Sequence, residues 1–159
     1  MKINNNAGFT LIELIVVIII VSSLLGLLVF NLVGTQRNTE ISSQTDIIVS
    51  DLSSQQNKAM LGAGGSSGND YGIHFESNQY TLFEGSTYNP ADSGNFVVNL
   101  DSGYQLTSTF PFGDIVFDSI TGTVSGFLNG NNTVTLQEIN GGKSKTVTIN
   151  KYGVVTGEN

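Results

Sequence analysis

The chain has 159 residues, room for one domain beyond a long helix. Six basic against thirteen acidic side chains give a net charge of −7, which argues against nucleic acid as a direct partner, since phosphates need clustered Lys or Arg. There is no Cys, so disulfides and thiolate metal sites are excluded, and nineteen Gly with many Asn, Ser and Thr suit a turn-rich β domain.

The first element in chain order is an apolar run. After Glu13 no charge appears until Arg37, and most residues from Leu14 to Gln36 are Leu, Ile or Val. Such a run exceeds the ~18 residues that mark a membrane span. As a helix at ~1.5 Å per residue, residues 9–33 would cover roughly 37 Å, enough for a ~30 Å hydrocarbon core. A secretory signal has an apolar core of only ~7–15 residues and a small-residue cleavage site after it, which this segment lacks. Glu13 stands near the start of the run, where an ionised carboxylate is costly. On hydropathy alone, Glu13 is either a hydrated residue at headgroup depth or an acid awaiting a partner. Within the span, Ser22, Ser23 and Gly26 either loosen the helix or let it pack closely against others. Lys2 on one side and Arg37 on the other leave the orientation unset by charge.

Gly8-Phe9-Thr10-Leu11-Ile12-Glu13-Leu14 followed by the apolar helix resembles the amino terminus of type IV pilins and type II secretion pseudopilins. The resemblance implies that residues 1–8 are a leader, cut after Gly8 by a prepilin peptidase that also methylates the new amine of Phe9. Ala7 stands where that family often carries a basic residue. Loss of Lys2 with the leader makes the mature side-chain charge −8. The resemblance also gives Glu13 its partner: the amine of a neighbouring subunit in a filament, each charge relieving the other's desolvation. It places the leader in the cytoplasm, the helix in the inner membrane as a single pass, and the globular domain on the periplasmic or extracellular side. The implied partners are other pseudopilins or pilins, the prepilin peptidase, the inner-membrane assembly platform and membrane lipid.

The helix is predicted to continue through residues 34–61. Ile41, Ile48, Leu52 and Ala59 share a face, Ile47 and Val49 widen it, and the polar residues between are expected in solvent. Residues 62–70 (GAGGSSGND) form a breaker linker. Its glycines do not fit G-x-G-x-x-G, because Ser67 holds the last position, and it follows a helix rather than a strand.

From residue 71 to 159 the period is two. Tyr71–Phe75 and Tyr80–Glu84 read as a hairpin turning at Ser77–Gln79. Further strand candidates are Phe96–Leu100, Tyr104–Thr109, Asp114–Phe117, Thr123–Leu128, Thr133–Ile139, Lys145–Asn150 and Val154–Thr156, with turns at Asn129–Gly130 and Asn140–Gly142. The expected fold class is α+β, with the amphipathic half of the helix on an antiparallel sheet or small sandwich. The stretches YGIHFESNQYTLFEG, IVFDSITGTVSG and KTVTINKYGVVTG resemble the globular domain of general secretion pathway protein H and FimT-like minor pilins.

Catalytic signals are weak. The single His, His74, is expected on a solvated strand face, opposite Ile73 and Phe75. Gly142-Lys143-Ser144 ends like a P-loop, but Gln137 replaces the first glycine and the segment joins two strands. Asp92, Asp101, Asp114 and Asp118 lie in or beside loops without EF-hand spacing. Neither enzymatic activity nor a cofactor is expected. The functional expectation is a minor pseudopilin of a type II secretion pseudopilus, with a type IV pilus or DNA-uptake subunit as the alternative. A stand-alone membrane-anchored binding domain is the third reading.

Overall fold

The computed structural model describes residues 9–62, 69–140 and 142–158, without the side chains of 27–39 on the helix. The leader 1–8 with Gly8, most of the linker 62–70 and Gly141 lie outside the described residues. The chain is α+β and divides into two units, residues 1–39 and 40–159.

In the first unit, helix α1 (Leu11–Met60) begins immediately after Thr10. The side chains of Leu11, Ile12 and Leu14 through Val21, with Leu24 and Leu25, are all exposed. These residues leave no polar stripe, so this stretch is apolar all round. Among the described residues no helix is long and apolar enough to cross a membrane. The run whose side chains are described, Leu11–Gly26, falls short of the ~20 residues a span needs and includes Glu13. The remainder of the expected span 9–33 lies where side chains are not described.

Among the described residues, the second unit contains the last part of α1 and eight strands in two antiparallel sheets. The first sheet holds β1 (Tyr71–Phe75), β2 (Gln79–Glu84), β3 (Phe96–Asn99) and β5 (Asp114–Phe117), ordered β3-β2-β1-β5. The second holds β4 (Tyr104–Ser108), β6 (Thr133–Glu138), β7 (Ser144–Ile149) and β8 (Val155–Glu158), ordered β4-β6-β7-β8. Alternation carries one face of each sheet into a common core. Ile73, Phe75, Ile115 and Phe117 enter from the first sheet, and Leu106, Leu136, Val147 and Ile149 from the second. Ile41, Ile48, Leu52 and Ala59 complete the core from the helix.

Three expectations are corrected. Ile47 does not widen the buried stripe, being 46% exposed, while Thr45 and Gln55 are buried instead. Their positions complete a 4-3-4-3-4 spacing from Ile41 to Ala59, the register of one helix face. Thr45 satisfies its hydroxyl on the Ile41 carbonyl at 2.8 Å. Gln55 donates from Nε2 to the carbonyls of Gly72 and Phe83, at 2.9 and 3.3 Å. Residues 123–128 form no strand; Val124 alone bridges Phe117. Left-handed backbone at Ile120, Gly122 and Gly126 keeps this segment coiled. Lastly, β1 is buried on both faces rather than one. The Phe83 ring lies over Gly72, and a Cβ there would run into that ring and come within 2.7 Å of the Ile115 carbonyl oxygen.

Candidate functional site: the start of the helix

Phe9 and Thr10 precede the helix in non-helical backbone, and Phe9 is fully open to its surroundings. Thr10 occupies the N-cap. Its Oγ1 accepts a hydrogen bond from the Glu13 N–H at 3.3 Å, and its carbonyl accepts the first helical bond, from Leu14 N–H at 3.2 Å. Glu13 is thus the third residue of the helix, in its first turn, where a carboxylate is favoured by the positive end of the helix dipole. Thr-x-x-Glu is the spacing of a capping box, in which the Glu can also return to the N-cap amide. This local role for Glu13, and Thr10 itself, escaped the sequence reading, although the T-L-I-E spacing carried the signal.

The geometry therefore brings Phe9, Thr10 and Glu13 to one helix end. The Gly8–Phe9 bond joins the leader, outside the described residues, to an exposed residue that precedes the helix. A peptidase needs such a bond, because a backbone already folded into a helix cannot lie in an extended cleft. Beyond Glu13 the exposed apolar surface from Leu14 to Leu25 needs cover from lipid or from other helices.

The remaining candidate residues fall elsewhere, in the second unit. His74 is not a solvated strand residue. Register pairs it with Asp114 across β1 and β5, and its Nδ1 lies 2.6 Å from Asp114 Oδ1. Its Nε2 stands 3.8 Å from Glu76, and its ring stacks on Tyr88 with centroids 4.0 Å apart. Both ring nitrogens thus face carboxylates, which holds the ring in place and leaves neither directed at a hydroxyl nucleophile. Tyr88 in turn touches Phe83, so the cluster closes the outer face of the first sheet under the segment after β2.

Gly142-Lys143-Ser144 sits in the β6–β7 hairpin, where the Lys143 carbonyl accepts from Glu138 N–H at 2.8 Å. Each of the four loop acids has a donor of its own. Asp92 accepts from Gly94 N–H, Asp101 from Gln44, and Asp118 from Thr123, while Asp114 holds His74. No group of three or more metal-ligating side chains gathers among the described residues.

The tyrosines show where burial meets charge. Tyr80, on β2, is 1% exposed and donates its hydroxyl to Asp51 of the helix at 2.6 Å. Burial first, and then the hydrogen bond and the Asp51 charge, push its ionisation far above the ordinary tyrosine range. Burial and neighbouring carboxylates likewise raise Tyr71, beside Glu84, and Tyr104, beside Glu40.

Compared with known protein families, residues 3–29 match the prokaryotic N-terminal methylation motif, about a sixth of the chain. No curated protein and no solved structure matches. The matched segment contains Gly8, Phe9, Thr10 and Glu13 and carries the processing signal of type IV pilin-like proteins: cleavage by prepilin peptidase, methylation of the new amine and entry into a filament in general.

Proposed function

We propose that the chain is a minor pseudopilin, a structural subunit of a type II secretion pseudopilus, and not an enzyme. The observation that carries this reading is the methylation motif placed on a capped helix start, with Glu13 in the first turn and apolar side chains exposed all round behind it. Prepilin peptidase cuts between Gly8 and Phe9 and methylates Phe9. The residues 9–33 anchor the subunit in the inner membrane as a single pass, with residues 71–159 as a β domain on the far side. The linker 62–70 joins them to the amphipathic helix 34–61. In the filament, the Phe9 amine of one subunit pairs with Glu13 of a neighbour. The assembly platform and the other pseudopilins are its partners. The resemblance of the β-domain sequence to general secretion pathway protein H favours the secretion pseudopilus, and a FimT-like subunit of a type IV pilus or DNA-uptake filament is the alternative.

Two measurements test this. Intact mass of membrane-extracted protein gives a chain beginning at Phe9 and carrying one methyl group. Recovery of only the full 159-residue form from cells with active prepilin peptidase refutes the processing step. Glu13→Leu retains membrane insertion, since it removes a charge from an apolar segment, but loses co-purification with other pseudopilins. Undiminished co-assembly of that variant removes Glu13 from the mechanism.

A further inference from the structure

The two sheets have four outer edges, and three of them are protected. On β5, Val124 bridges Phe117, and Ser125 N–H donates to the Val116 carbonyl at 2.8 Å. On β4, the Leu106 N–H donates to Ser77 and the Tyr104 N–H to Asp101, at 2.8 and 3.0 Å. Strand β8 has a register shift against β7, a glycine at position 157 and the charged Glu158. Bulges, charges and covering loops are the usual means of blocking strand addition.

Among the described residues, strand β3 has none of these. Its sequence is Phe-Val-Val-Asn, with no charge, no proline and no bulge. The pairing Leu100 N–H to Asn78 C=O fixes the alternation of its ladder with β2. Val98 and Phe96 therefore exchange hydrogen bonds with Tyr80 and Leu82, and Val97 and Asn99 turn their N–H and C=O groups outward. Phe96 and Val97 are 65% and 46% exposed.

A groove of about 420 Å³ continues from this edge on the helix side, lined by Phe96, Leu82, Tyr71, Gln55, Lys58 and Glu84. It offers space for a side chain of an added strand, beside Phe96. Gln55 carries a buried Oε1 with no donor among the described residues. Such an acceptor costs stability until something supplies a proton to it.

Charge selects the occupant. Asp92 precedes β3 and Asp101 follows it, both exposed, and Glu84 stands at the groove. Antiparallel pairing with a second copy sets the Asp101 end of one β3 beside the Asp92 end of the other, like charge against like. An extended segment with an uncharged core and Lys or Arg at its ends meets carboxylates instead. We infer that β3 is a docking edge for such a basic-flanked strand of another protein, which adds to the first sheet through Val97 and Asn99 and seats one side chain in the groove beside Phe96. This inference stands on the second unit alone and does not depend on processing at Gly8.

The test uses the full chain in non-ionic detergent and three fluorescent peptides of about six residues, the usual strand length. All share a Val/Thr alternating core. One ends in Lys on both sides, one in Glu, and the third is the Lys peptide with every second amide N-methylated. The Lys peptide is expected to bind and to slow amide exchange at Val97 and Asn99. The Glu peptide is expected to bind at least about tenfold more weakly, and the N-methylated one not to bind. Val97→Pro removes an outward N–H that no bond among the described residues uses, and is expected to weaken the Lys peptide by at least about tenfold with the circular dichroism unchanged. The peptide series on unaltered protein decides the matter if that variant misfolds. Equal binding of all three peptides overturns the inference, as does protection appearing on β4 or β8. Protection of β3 that rises with protein concentration in the absence of peptide also overturns it, by making a second copy the occupant.

Discussion

Replacing Tyr80 by Phe isolates one hydroxyl that links the helix to the first sheet. At neutral pH the variant loses an O–H donor to the Asp51 carboxylate at 2.6 Å. A hydrogen bond to a charged group contributes ~1.5–3 kcal/mol, so about 2 kcal/mol of stability should go. The same bond dictates a pH dependence. Folded Tyr80 ionises far above its ordinary value of about 10, because burial and Asp51 oppose a phenolate. Its stabilising contribution is therefore complete below about pH 10 and is lost as pH rises towards the folded value. In that window the unfolded chain has released the Tyr80 proton and the folded chain retains it. Stability then falls by ~1.4 kcal/mol per pH unit on account of this one residue.

Tyr80→Phe lacks that proton, so its deficit of about 2 kcal/mol at pH 8 should shrink to about 0.6 kcal/mol at pH 11. Tyr71 and Tyr104, also raised, lower both proteins alike and cancel in the difference. Urea unfolding followed by circular dichroism at the two pH values measures it. A deficit that stays constant from pH 8 to 11 would refute the reasoning, because Tyr80 would then ionise as freely in the folded chain as in the unfolded one.

The other expectations concern packing and the separability of the second unit. Gly72→Ala should cost about 2 kcal/mol in urea unfolding, since its methyl meets the Phe83 ring and the fixed Ile115 carbonyl; a loss below about 0.5 kcal/mol would mean the strand shifts freely. Ile48→Ala, in the core, should cost ~2–5 kcal/mol, while Ile47→Ala next to it should cost less than about 0.5 kcal/mol. A fragment starting near Thr35 should be soluble and give a circular dichroism spectrum of one helix with substantial antiparallel sheet. A largely helical spectrum would overturn the fold. The same fragment should not hydrolyse nucleotides, and turnover abolished by Lys143→Ala would overturn the reading of that hairpin.

What could be read in the sequence was whatever local periodicity encodes. The stripe Ile41, Ile48, Leu52, Ala59 and eight of the nine strand candidates from Tyr71 onward correspond to elements, because one buried face imposes its period on the chain. The failures are non-local. His74 looked solvated because its partner Asp114 is forty residues away and reaches it only through the β1–β5 register. Gln55 looked solvated because its two acceptors belong to strands that pair above it. Residues 123–128 alternate like a strand, yet Gly122 and Gly126 adopt left-handed backbone that no ladder accommodates. At the helix start the reverse held. There the Thr10-x-x-Glu13 cap is encoded purely locally, in the four-residue spacing itself.

That cap bears on how Glu13 should be understood. A carboxylate in the first turn already serves its own helix, through the dipole and the Thr10 spacing, so its presence alone does not demand a partner subunit. What demands one is the change made by cleavage. Cutting after Gly8 leaves a positive amine at Phe9, at the end of the helix where positive charge is disfavoured and one residue before the cap. In the proposed filament that amine needs a carboxylate, and the one proposed to meet it is Glu13 in the first turn of a neighbouring subunit. In water, hydration would satisfy both groups. Among the exposed apolar side chains from Leu11 to Leu25, hydration is what burial removes. On the proposed function, Glu13 starts the helix of its own chain and, in the filament, answers the new charge of a cut neighbour, which would make Glu13 and the Gly8–Phe9 bond one device rather than two.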